Sequence, residues 1–158
     1  MATINERTHA DHPHSTAKIG THPIHPMLIP FPIVCFIGAL VTDIVFLSNS
    51  DAGWATASKY LLGIGIVMAL LAAVAGLTDF FGDKRIQSGD AIKHMLANVT
   101  AVVLEIVNFF IRLNNDSAIR TTGIILSVIV VLILLYSGWK GGDLVFRHGI
   151  GVSDRSDQ

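Results

Sequence analysis

Histidines form the pattern in this sequence that most clearly suggests chemistry. The chain has seven, and four lie next to long apolar segments: His22, His25, His94 and His148. Asp79, at the end of another apolar segment, completes the candidate set. Imidazole nitrogens bind zinc, copper and iron, and a carboxylate can bind the metal or orient a histidine. Two histidines can also hold haem iron between helices, so these residues predict a metal or haem site without selecting between the two.

A second group of polar residues follows one face of a single apolar segment. At about 100° per residue, these side chains share a narrow arc of a helix: His94, Asn98, Glu105, Asn108 and Arg112. The group rises about 27 Å, nearly the thickness of a bilayer core, so it must face other helices. Glu105 lies near mid-membrane, where an acidic residue is a functional candidate. Hydrogen bonding between helices is the structural interpretation of the same residues.

A further acidic residue, Asp43, lies deep in the first apolar segment. Counting about 1.5 Å per residue from the ends of the two segments places it at the depth of Arg112. An unpaired charge is costly inside a bilayer. The sequence therefore predicts an ion pair between Asp43 and Arg112, with a structural role.

Four long apolar segments carry these residues. Hydrophobic residues make up 51% of the chain, charged residues 15%, and the mean hydropathy is +0.59. A bilayer core of about 30 Å needs roughly 20 apolar residues per helix. The sequence predicts spans over residues 27–47, 60–81, 91–113 and 121–138, the last ending before the Gly141-Gly142 pair. Because the connections are short, the predicted fold class is all-α, a polytopic membrane protein with a four-transmembrane-helix up-and-down bundle.

The remaining residues form two polar tails around a transmembrane domain of residues 22–152. Residues 1–21 carry three more histidines, His9, His12 and His14, and are expected to be disordered; residues 153–158 form the second tail. The predicted topology places eight Lys and Arg residues on the side of both tails and three on the other: Arg7, Lys18, Lys84, Arg85, Lys93, Lys140, Arg147 and Arg155 against Lys59, Arg112 and Arg120.

This charge asymmetry predicts that both termini lie in the cytoplasm, with the chain in a bacterial inner membrane. All seven histidines then lie on the cytoplasmic side. A net charge of -1 disfavours a nucleic-acid partner, which would need clustered basic residues. The expected partners are the lipid bilayer and either another membrane protein or further copies of this chain.

Four short motifs together resemble an uncharacterised bacterial membrane-protein family, domain-of-unknown-function family 2231. They are His22-Pro-Ile-His-Pro-Met-Leu-Ile-Pro, Gly76-Leu-Thr-Asp, His94 and Gly141-Gly-Asp-Leu-Val-Phe-Arg-His-Gly. The resemblance extends from His22 to Val152. It implies a small four-span membrane protein and brings no established activity. It also favours treating the four membrane-flanking histidines and Asp79 as one set.

Three functions remain open at this point. The first is a membrane bundle whose histidines bind haem or a transition metal for electron transfer. The second is a non-catalytic scaffold or assembly subunit, and the third is a proton or solute pathway along the polar face of the third span. The spans have no Gly or Pro break at mid-depth, which disfavours a transporter. We assign no reaction, because phosphate-loop, nucleophile-elbow and zinc-protease motifs are absent from the sequence.

Overall fold

Four long helices dominate the computed structural model, which describes Pro13 and residues 15–151. They are α2 (Pro30–Asn49), α3 (Ala52–Gly82), α4 (Gly89–Arg112) and α5 (Thr122–Phe146). A hairpin of strands β1 (Lys18–Ile19) and β2 (His22–Pro23) and a short helix α1 (Ile24–Leu28) precede them. Single 3-10 turns, Lys84–Ile86 and Asp116–Arg120, follow α3 and α4.

Each of the four long helices is long and apolar enough to cross a bilayer. Only 17–28% of the residues in their most apolar windows are buried inside the protein. Large aliphatic side chains such as Val34, Val74 and Leu135 point outwards, with about two-thirds of their surface exposed. In water such a surface would be unfavourable, whereas in a bilayer it contacts lipid. The predicted all-α, four-helix membrane bundle is therefore confirmed.

The bundle consists of two closely packed helical hairpins, α2 with α3 and α4 with α5. Gly65 allows the close approach of α3 to α2, because a Cβ atom there would lie 2.6 Å from the Phe36 ring. Between the hairpins, α2 contacts α5 and α3 contacts α4 over smaller areas. Six buried apolar residues fill the middle and form the central apolar cluster: Phe36, Ala39, Leu62, Ala69, Ala101 and Val130.

Two helix boundaries differ from the sequence prediction. Helix α3 begins at Ala52 rather than at residue 60, because the Asp51 side chain caps it by accepting the Gly53 N–H at 2.8 Å. Helix α5 continues beyond residue 138, the predicted end of the span, and through the Gly141-Gly142 pair to Phe146. A glycine costs a helix only about 1 kcal/mol relative to alanine, and Asp143 binds Lys140 across the pair and Arg147 one turn further on.

The part of the N-terminal tail that the structure describes packs against the end of α3. Asp79 Oδ1 accepts hydrogen bonds from the Ser15 hydroxyl at 2.8 Å and from the Ala17 N–H at 2.7 Å. Gly82 is needed beside Thr16, since a Cβ atom there would collide with the Thr16 side chain. Residues 15–19 thus form a strap over the helix end, whereas His9, His12 and His14 lie outside the described residues.

Candidate functional site

One end of the bundle contains a buried network centred on Arg112. Its guanidinium makes a bidentate contact with Asp43, at 2.6 Å from Nη1 to Oδ1 and 2.9 Å from Nη2 to Oδ2. Both side chains are 0% exposed. The ion pair predicted from their depths is present, and its planar two-point geometry is the strong form of an arginine–carboxylate contact.

Two serines and an asparagine complete this network. The Ser58 and Ser127 hydroxyls each donate to Asp43, at 2.7 and 2.9 Å, and accept from Arg112, at 2.6 and 2.9 Å. Arg112 Nε donates to Asn108 Oδ1 at 2.8 Å. All four long helices contribute, and we call Asp43, Ser58, Asn108, Arg112 and Ser127 the arginine network. The sequence does not reveal the role of either serine, because a serine in an apolar span is common and its position does not identify its partner.

Glu105 lies next to the arginine network and is incompletely bonded. Its Oε2 accepts from the Asn108 amide at 2.9 Å, whereas the buried Oε1 has no hydrogen-bond partner among the described residues. The polar face of α4 does not continue from here towards His94. Ala101, which belongs to the central apolar cluster, lies between Glu105 and Asn98. The polar residues predicted along one face of this helix therefore form two separate groups, one towards each end of the bundle.

The opposite end contains His25 and His94, which we call the histidine pair. Their ring centroids lie 6.3 Å apart and their planes cross at 86°. His25 Nδ1 lies 2.7 Å from the Ala72 carbonyl oxygen, and His94 Nδ1 lies 2.9 Å from that of Ser137. Because a carbonyl oxygen only accepts, each Nδ1 carries the hydrogen and each neutral ring has its lone pair on Nε2.

The two Nε2 atoms differ in their surroundings. The Asn98 amide donates to His94 Nε2 at 3.0 Å and also to the His94 carbonyl oxygen at 2.9 Å. His25 Nε2 has no hydrogen-bond partner in the part of the chain that the structure describes. The histidine pair therefore presents one open nitrogen, His25 Nε2, and one nitrogen, His94 Nε2, that is bonded to the Asn98 amide.

Two glycines let the neighbouring backbones approach the histidine pair. A Cβ atom at Gly76 on α3 would lie 2.8 Å from His25 Nδ1, and one at Gly141 on α5 would lie 3.1 Å from His94 Cε1. Both distances are shorter than an ordinary van der Waals contact. These glycines place α3 and α5 directly against the rings, which is a structural reason for their presence in motifs noted in the sequence.

A family comparison covers both ends of the bundle. The family model described as "Predicted membrane protein (DUF2231)" matches residues 21–154, which include the histidine pair and the arginine network. The chain belongs to the DUF2231 family. Among curated proteins and solved structures, no match to this DUF2231 chain was found.

Five residues were predicted to form one site. Of these, the structure of this DUF2231 protein brings together the histidine pair. His22 is exposed on β2, and the His148 side chain is 41% exposed and lies 3.7 Å from Asp90. Asp79 is occupied by the N-terminal strap. Among the described residues, no group of three or more His, Cys, Asp and Glu side chains is placed to hold a metal ion. His22 lies in a strand and His148 follows the end of α5, whereas His25 and His94 lie in helices, so the sequence could not show their separation.

Proposed function

We propose that this protein binds haem through His25 and His94 and carries electrons in the membrane. The spacing of the histidine pair is the observation that supports this function. A metal–imidazole bond is about 2.0–2.1 Å, so two rings on opposite sides of one metal have centres roughly 6 Å apart. The observed separation of the ring centroids is 6.3 Å.

The orientation of the rings supports the same ligand role. Metal-binding histidines commonly donate their second ring N–H to a carbonyl or carboxylate, which fixes the tautomer and the ring. The Ala72 and Ser137 carbonyl oxygens accept such bonds from the two Nδ1 atoms. The Nε2 atoms are then the available ligands, and Asn98 would release His94 Nε2 while keeping its bond to the His94 carbonyl oxygen.

The number of ligands favours haem over a bare metal ion. Zinc sites use three or four protein ligands, whereas haem supplies four nitrogens itself and needs only axial side chains. The described residues offer two imidazoles and no third ligand group. When bound, haem would supply one-electron chemistry, and this chain would hold the iron through two histidines and surround the group with apolar helices.

The cellular setting of the proposal follows from charge. Lys18, Lys84, Lys93 and Lys140 belong to the positively charged side of the bundle, which is also the side of the histidine pair. The positive-inside rule supports placing this side in the cytoplasm of a bacterial inner membrane. A membrane-protein electron partner would then contact the bundle near its cytoplasmic surface.

A non-catalytic scaffold is the second candidate, and the arginine network favours it. The network connects all four long helices through buried hydrogen bonds, as a role in fixing helix register requires. This function needs no cofactor. It differs from the first proposal in one measurable respect, since purified scaffold protein would be colourless.

The test is a reduced-minus-oxidised visible spectrum of protein purified in detergent from cells supplied with iron and haem precursor. We expect a haem spectrum at near one haem per chain, lost in His25→Ala and in His94→Ala. The matched controls His22→Ala and His148→Ala should keep it. A colourless wild-type protein, or a spectrum that survives both pair variants, would overturn the proposal. Elemental mass spectrometry of the same sample would reveal a bare metal ion, which would also overturn it.

A further inference from the structure

A groove between α3 and α4 opens on the lipid-facing surface at the arginine end of the bundle. It has a volume of about 430 Å³. Thr56, Lys59 and Tyr60 line it near the start of α3, and Gly63 and Phe109 lie further along the helices. The helices of the two hairpins pack less closely here than those within each hairpin, which leaves this space open.

The level of the groove in the membrane follows from the length of α3. With 31 residues, this helix is about 46 Å long, whereas the hydrocarbon core is about 30 Å thick. Its first turns therefore reach the headgroup region. Thr56, Lys59 and Tyr60 follow the start of α3 by about 6–12 Å, so their hydroxyl and ammonium groups can extend to that level, and the apolar part of the groove continues from them into the hydrocarbon.

A glycine shapes the apolar part. Gly63 lies beside the Phe109 ring, and a Cβ atom on it would lie 3.4 Å from Phe109 Cε2. A larger side chain at this position would fill the space over the ring. The groove therefore depends on the absence of a side chain at Gly63, and this part of it is lined by apolar groups.

The lysine at the polar rim is paired with an acidic residue beside the groove. Lys59 Nζ lies 2.8 Å from Asp116 Oδ1, and these side chains are 24% and 39% exposed. A headgroup with a phosphate and an ammonium complements such a pair, because each of its charges meets an opposite one. A headgroup with only negative charge would be repelled by Asp116.

We propose that this groove binds one phosphatidylethanolamine molecule. Its phosphate contacts Lys59 and the Tyr60 hydroxyl, its ammonium contacts Asp116, and one acyl chain lies over Gly63 and Phe109. The proposal is independent of haem binding, since the histidine pair lies at the other end of the bundle.

Native mass spectrometry of the full-length protein in mild detergent, with added phosphatidylethanolamine or phosphatidylglycerol, tests this site. We expect a one-to-one phosphatidylethanolamine adduct at concentrations where phosphatidylglycerol gives at least tenfold less. Gly63→Leu and Lys59→Met should each lower its occupancy at least tenfold. Gly138→Leu and Lys140→Met are the matched controls at the other end, and Gly138 has open space around it.

Equal binding of the two lipids would overturn the proposal, and so would unchanged occupancy in Lys59→Met. Thermal unfolding of each variant identifies any loss of binding that is caused by misfolding. Should Gly63→Leu fail to fold, Lys59→Met alone decides, since its side chain lies at the rim and not in the core.

Discussion

The two ends of the bundle contain polar groups of opposite character. At the arginine end, Asp43 and Arg112 are 0% exposed, and neighbouring serines and an asparagine supply their remaining hydrogen bonds. At the histidine end, two rings are fixed through Nδ1, and His25 Nε2 makes no bond to a described residue. The arginine network, in which the charged groups have their hydrogen-bond partners, contributes stability and leaves no atom free to bind a ligand. The histidine pair is oriented but leaves His25 Nε2 open, which is why we propose the function at the histidine end.

The largest effect is expected when the arginine network loses one partner. Arg112→Leu leaves the Asp43 carboxylate buried without its counter-charge, and breaking such a pair costs about 3–5 kcal/mol. The free energy of unfolding in mixed detergent should fall by that amount. The double variant Asp43→Leu with Arg112→Leu should lose less than the two single variants together. If Arg112→Leu lowered the free energy of unfolding by less than about 1 kcal/mol, the arginine end could not be distinguished from the histidine end by its contribution to stability.

A smaller effect is expected at Asp79. Its substitution distinguishes a residue that holds the N-terminal strap from one that binds a ligand. Asp79→Ala removes the acceptor for Ser15 and the Ala17 N–H, and two such bonds are together worth about 1–3 kcal/mol. Amide hydrogen exchange at residues 16–19 should increase, while the haem spectrum stays unchanged. Asp83→Ala, near the same helix end, is the positional control. Loss of the spectrum in Asp79→Ala would return this carboxylate to the ligand set.

Substitution of Asn98 tests the role of its hydrogen bond to His94 Nε2. Asn98→Leu removes the amide from His94 Nε2 and should cost about 1 kcal/mol in ligand-free protein, the usual value of one hydrogen bond. Under the proposed function, haem content should be retained or increased, because the competing donor is gone. Haem titration of wild-type and variant protein measures this. Clearly weaker haem binding in the variant would show that Asn98 supports the ligand and does not compete with it.

The smallest effect is expected at Glu105. Glu105→Gln keeps an oxygen to accept from the Asn108 amide and changes only the group at Oε1, which has no partner among the described residues. The free energy of unfolding, measured by thermal unfolding, should change by less than about 1 kcal/mol. Asn108→Leu removes the acceptor for Arg112 Nε and should lower this free energy by more. A large loss in Glu105→Gln would mean that the arginine network extends to this carboxylate.

The sequence predicted the features that depend on hydropathy and depth. Four spans follow from apolar length, and Asp43 meets Arg112 because charges at equal depth in a bilayer have few alternatives. The sequence could not predict where α3 begins, since a cap at Asp51 extends a helix beyond its apolar run. Likewise, the continuation of α5 past the two glycines is accompanied by ion pairs of Asp143 with Lys140 and Arg147, which hydropathy does not indicate.

The candidate site was predicted only in part, and for a related reason. His25 and His94 are on helices whose packing fixes their distance, whereas His22 lies in the β-hairpin and His148 follows the end of α5, where direction is set by local turns. Sequence spacing carries no information about those turns. The roles of Ser58 and Ser127 were equally hidden, because a hydroxyl between two charges is recognised only when three helices have been assembled around it.

The central apolar cluster also separates the polar groups at the two ends of the bundle. Its six side chains, from Phe36 to Val130, carry no polar atom, and no hydrogen bonds among the described residues bridge it from Asn98 to Glu105. Distant sites that share no partner usually respond to substitution independently. The effects on stability of one change at each end should therefore add in the double variant, so the two ends can be altered one at a time.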